Sequence, residues 1–220
     1  MPDLQTFIDQ AWTDHADDAW RVSLRLPEAL DLATDAAGMM DLARLASHVY
    51  GEHLGRWADG LQYLAALARG PGFDAASPPG RQLRVLRAAL ALAGDAGDVR
   101  ATLEAGERIE VTARAGMLLA LHDAGRAQVL LDEAQAAAEA TALPDDAPAV
   151  RTLAIAGNNT AAALIDKAER SEAERRLMLQ AAELGRRCWA RAGTWLETER
   201  ADYRLAMAWL AAGDPTRAAE

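Results

Sequence analysis

The 220-residue chain is short of several things, and each shortage excludes something. It has one cysteine, Cys188, so no intrachain disulfide can form, which fits a reducing compartment. Phe and Tyr are scarce, and no run rich in Val and Ile alternates as a strand would. No stretch approaches the ~18 uncharged apolar residues of a membrane span. The opening Met1-Pro2-Asp3-Leu4-Gln5 has neither the basic nor the apolar region of a signal peptide. A cytoplasmic protein with no membrane contact is expected. Positive charge is also lacking: the net charge is −10, and Lys167 is the one lysine. Residues 1–80 carry 12 acids against 5 bases, whereas residues 147–220 carry 10 against 11. A nucleic-acid partner, which needs a basic footprint, is therefore not expected. There is no Gly-rich phosphate loop, no Gly-x-Ser-x-Gly elbow and no paired-cysteine motif. No cofactor and no catalytic constellation are read from the sequence, and a non-enzyme is expected.

What is present is helix. Apolar residues make up 51%, with Ala, Leu and Arg dominant. Leu4, Phe7, Ile8, Ala11 and Trp12 recur at i, i+3 and i+4, which predicts an amphipathic helix from Asp3 to about His15. A second stretch, 17–33, should break near Leu26 because Pro27 lacks an amide hydrogen. Helices are then expected over about 39–53 and on to 68, 81–93, 99–108, 109–122, 127–142, 149–167, 172–192 and 195–212. A further helix opens at Pro215 and stops at Glu220, so its hairpin looks unfinished, as in a truncated product or an end covered by another copy. Gly70-Pro71-Gly72 and Ser77-Pro78-Pro79-Gly80 punctuate the chain. They divide it into helical hairpins over 1–69, a loop over 70–80 and helical repeats over 81–220. The fold class is all-α.

A hairpin grammar recurs. Leu205, Ala206, Trp209, Gly213 and Ala218 form one copy, and Thr160, Ala161, Leu164, Ala168 and Ala173 another. Ser47, Tyr50, Trp57, Gly60 and Leu61 form an earlier one. Small residues sit where paired helices must touch, and Gly213 supplies a left-handed turn that Ala168 cannot supply easily. This pattern resembles the tetratricopeptide repeat (TPR) family. Asn158-Asn159 with Glu172-Ala173-Glu174 is most similar to the long-repeat kinesin-light-chain-like bacterial type. The region 81–142 fits loosely, and residues 1–35 hardly at all.

The resemblance implies an α-α superhelix, a right-handed solenoid of TPR-like hairpins, whose first helices line a concave groove. It implies a scaffold for protein–protein interaction that binds a peptide or partner protein, including one with an acidic tail. On this basis the groove would present Asn158, Asn159, Ala162, Ile165 and Asp166 from one hairpin, and Arg200, Tyr203, Arg204 and Met207 from the next. Asn can bond both sides of an extended peptide, and Arg can grip a carboxylate with two parallel bonds. Asn159, Arg200 and Arg204 match part of a carboxylate clamp, but Ala115 and Leu119 stand where its other donors belong. Ordinary ion pairs of Arg200 and Arg204 with Glu197 and Glu199 are the plainer expectation. Self-association, a sensor domain of a regulator, and an enzyme assembled from His48, Glu52 and Asp166 are further readings. His48 and His53 are five apart, which puts them on different faces of an α-helix and speaks against a metal site. His15 and His122 are expected as isolated residues near helix ends, and Cys188 as a small buried side chain.

Overall fold

The computed structural model describes residues 3–70 and 73–219; Pro71 and Gly72 of the expected break lie outside them, as does the terminal Glu220. The described residues form helices without a strand, and their contacts separate into two compact units, 1–99 and 100–220. None of these helices is long and apolar enough to cross a membrane.

In the first unit, α1 (Leu4–Arg25) starts where the Asp3 carboxylate accepts from the Thr6 amide at 2.8 Å. It buries Phe7, Ile8, Ala11 and Val22. The helix is interrupted at Asp18, whose φ of −150° and ψ of 76° are not helical, and whose side chain caps the next turn at the Arg21 amide. Two helical halves thus meet close to the expected boundary. At Pro27 the α-helix gives way, as expected, to a 3-10 segment, Leu26–Leu32. Two buried phenols hold this junction: Tyr50 donates to the Ser23 carbonyl at 2.9 Å and Tyr63 to the Leu26 carbonyl at 3.0 Å. Burial raises the pKa of both phenols above the ordinary range, so they stay protonated donors.

Helix α2 (Ala36–Ala46) is capped by Asp35 and runs directly into one π-helical turn, Ser47–His53. The expected α-helix over 39–53 is therefore α in its first half only. The difference corrects the reading of the histidines. In an α-helix residues five apart diverge by about 140°, but i→i+5 bonding stacks them on one side. The Leu54 amide donates to the Val49 carbonyl in that pattern, and His53 faces His48. Helices α3 (Trp57–Leu67) and α4 (Pro78–Ala93) complete the unit and pack on each other, with Ser77 capping α4.

The second unit opens with a 3-10 turn, Arg100–Thr102, followed by α5 (Ala105–Leu119) and α6 (Ala124–Thr141). The expected helix over 99–108 and the break after it are absent, because α5 continues through Arg108. That helix buries almost every residue from Ile109 to Leu119, so it has no polar face from which sequence could read its phase. Next come α7 (Pro148–Asp166), α8 (Glu172–Ala192), α9 (Trp195–Ala211) and the short α10 (Pro215–Ala218). Helix α5 packs on α6 and α7; α7 packs on α8 and α9; α6 lies against α8, and α10 folds back on α9.

The tightest of these contacts is the α7–α8 crossing. A Cβ on Gly157 would stand 2.6 Å from both the Ala181 carbonyl oxygen and the Gly185 nitrogen. Ala161 is fully buried on the same helix. After α7 no glycine turn is used. Instead the Arg170 guanidinium donates to the carbonyls of Leu164, Ile165 and Lys167, and reaches Ala211 on α9 at 3.3 Å. It satisfies the orphan carbonyls that a left-handed cap would otherwise serve. The turn after α9 does use Gly213, at φ 85°. Capping boxes, Ser171 with Glu174 and Thr194 with Glu197, start α8 and α9.

Two substitutions test this packing. Gly157→Ala gains about 1 kcal/mol of helix propensity but collides with backbone that cannot rotate away, an overpacking cost of about 1–3 kcal/mol. The net effect expected is destabilisation, read as a lower urea midpoint at unchanged slope. Tyr63→Phe strips the Leu26 carbonyl of its donor, and a loss of about 1–3 kcal/mol is expected in the same measurement.

Candidate functional site

The residues expected to line a groove lie on α7 and α9, which are in contact. Asn158 and Asn159 are half-buried on α7. The Asn158 backbone belongs to the tight crossing, since a Cβ on Gly185 would lie 2.9 Å from its nitrogen. Ala162 and Ile165 are half-buried further along, and Asp166 is exposed at the end of the helix. On α9, Arg200 and Tyr203 are exposed, while Arg204 and Met207 are half-buried. Ala115 and Leu119, at the positions of the missing clamp donors, are completely buried in α5.

Among the described arginines of the second unit, those of α9 stand apart in their bonding. Arg100 holds Glu133, Arg151 holds Glu197, Arg186 holds Asp202 and Arg191 holds Asp145. Among the described residues, Arg200 and Arg204 make no ion pair or hydrogen bond, and Arg204 buries its Nε without a partner. The plainer expectation of ion pairs with Glu197 and Glu199 is thus not met. Glu197 is committed elsewhere: its carboxylate accepts from the Thr194 amide at 2.8 Å and from the Thr194 hydroxyl at 2.5 Å, and meets Arg151 at 3.5 Å. Those Thr194 bonds hold its pKa below the ordinary carboxylate range.

Helix α9 also exposes large apolar side chains. Trp195 is 77% exposed, Tyr203 63% and Leu210 50%. Trp209 is half-buried under the Arg217 guanidinium, 4.6 Å from its ring centre. Tyr203 also borders an open cleft of about 620 Å³ among α8, α9 and α10, with Arg186, Asp202 and Arg217. A second cleft, about 310 Å³, lies between α6 and α8, lined by Gln128, Asp132, Gln135, Glu139, Gln180 and Arg187. Cys188 is buried, and burial pushes its thiol pKa up against the opposing pull of Arg187 and Arg191. It is not an activated nucleophile.

The first unit brings together residues that sequence spacing had separated. His15 of α1 and His48 and His53 of the π turn form one cluster, with ring centres 4.6–5.1 Å apart. Trp12, which is 40% exposed, lies against His15 and His48. His15 is therefore not isolated, although its Nδ1 does meet a helix carbonyl, that of Trp12, at 2.7 Å. His48 meets Glu52 at 3.0 Å, whereas Asp166 belongs to the second unit. The signal that could have found the cluster is the spacing of five itself, had π geometry been allowed. No protein-family model matches the chain, and neither a curated protein nor a solved structure matches it.

Proposed function

We infer that the second unit is a TPR-like, non-enzymatic interaction module that receives an acidic peptide or the acidic segment of a partner protein on α7 and α9. The observation that carries this reading is the pair Arg200 and Arg204, one turn apart and without an anionic partner among the described residues. Two cations left free on a helix that also exposes Trp195 and Tyr203 have the composition of an interaction hot spot, where Trp, Tyr and Arg dominate.

The order of packing supports a repeat array. The hairpins α5/α6, α7/α8 and α9/α10 follow one another, with first helices α5, α7 and α9 side by side and second helices α6 and α8 side by side. Such hairpins bury their faces by stacking on the next. A right-handed superhelix with α7 and α9 on its concave side is part of this proposal. Asn159 would steady the peptide backbone, and Arg200 and Arg204 its carboxylates.

The proposal is tested with an array of short peptides ending in free acidic C-termini, probed with the full chain and with Arg200→Ala/Arg204→Ala of equal helicity. Peptides that the wild type retains should bind the variant roughly ten- to a hundredfold more weakly, since hydrogen bonds to charged groups contribute about 1.5–3 kcal/mol. Added salt should weaken wild-type binding in the same direction. Retention of the same peptides by both proteins would reject the assignment of these arginines.

A further inference from the structure

We propose that His15, His48 and His53 form a binding site for a divalent transition metal of the zinc class, held by three imidazole nitrogens with the remaining position open to water. Each histidine offers a ring nitrogen, and these nitrogens all lie within 4.8 Å of one another. The Nε2 atoms of His48 and His53 are 3.0 Å apart. Two nitrogens each about 2.0–2.1 Å from a tetrahedral zinc stand about 3.3–3.4 Å apart. The observed spacing is therefore close to that of a ligand pair, and the third nitrogen lies within 4.8 Å of both.

The surroundings orient the rings as a metal requires. The Trp12 carbonyl can only accept, so His15 donates from Nδ1 and its neutral ring keeps the lone pair on Nε2. The Glu52 carboxylate, 3.0 Å from His48 Nδ1, fixes that ring in the same tautomer and leaves its Nε2 lone pair available. This carboxylate–histidine pairing is the usual support of a metal-bound imidazole. Three nitrogen donors select borderline transition metals rather than calcium or magnesium, which take oxygen. The excess of acids over bases in residues 1–80 favours cation approach.

The backbone supplies an independent reason. The π turn spans Ser47–His53 and so begins one residue before the first histidine and ends on the second. π-helical turns are rare, and they recur at functional sites. Here the turn converts a spacing of five, useless in an α-helix, into two side chains on one side. Trp12 packs against two of the three rings and limits their freedom.

The test uses the full chain, stripped with a chelator and titrated with zinc against a chromophoric competitor, while the histidine ring nitrogens are followed by long-range ¹H–¹⁵N correlation. Binding should saturate at one zinc per chain. The ring-nitrogen signals of His15, His48 and His53 should move, and those of His122 should not. His53→Gln should abolish stoichiometric binding, and His122→Gln should leave it intact. Glu52→Gln should weaken affinity roughly ten- to a hundredfold, as loss of a supporting carboxylate does. Unmoved signals of the three rings in the wild type would overturn the site whatever the variants do. Undiminished affinity in a folded His53→Gln variant would overturn it equally.

Discussion

Helices α7 and α8 of the second unit meet through glycine and alanine, and this contact sets how closely their hairpin closes. At the α7–α8 crossing, Gly157 and Gly185 leave no room for a side chain, and Ala154, Ala161, Ala181 and Ala182 are buried close by. Backbones that approach this closely replace bulky side chains with many weak atom pairs, each worth about 0.1–0.2 kcal/mol. A chain with two phenylalanines needs this kind of core. Close approach also leaves a short connection between the helices, and Arg170 seals it by bonding three carbonyls at the end of α7. The same guanidinium reaches α9, so one side chain ties the hairpin to its neighbour.

The first unit solves a different problem. Its helices are interrupted at Asp18, at Pro27 and between Ser47 and His53. Each interruption releases backbone groups that must find partners, because a buried orphan carbonyl costs about as much as a lost hydrogen bond. Asp18 re-caps α1, and the phenols of Tyr50 and Tyr63 take the carbonyls on either side of the α-to-3-10 junction. Tyr50 itself lies in the π turn, so the residue that repairs one irregularity is placed by another. The histidine cluster shares this origin: α1 contributes one member and the π turn two.

The sequence was readable where a side chain acts on its own backbone. Asp3 and Pro27 marked a start and a break correctly, and Gly213 its left-handed turn. It was less readable where tertiary burial decides. The phase of α5 was hidden because buried residues surround it. The turn after α7 was hidden because its cap is an arginine four residues beyond the helix. The histidines were misjudged because a period of 3.6 was applied to seven residues that do not follow it. Of the residues expected in a groove, those of α7 and α9 were named from a family pattern. The lack of partners for Arg200 and Arg204 among the described residues could not be read from spacing, since Glu197 stands three residues before Arg200 and looks available.

That availability is removed by the start of α9. A capping box needs an acidic residue at its third position, and Thr194 claims Glu197 for it. Arg151 then takes the outer oxygen, from α7. What remains on α9 is Arg200 followed four residues later by Arg204, a like-charge pair that costs a helix a few tenths of a kcal/mol. Among the described residues neither guanidinium has an ion-pair partner, and the buried Nε of Arg204 is an unsatisfied donor. The capping of α9 thus takes up the carboxylate that stands three residues before Arg200.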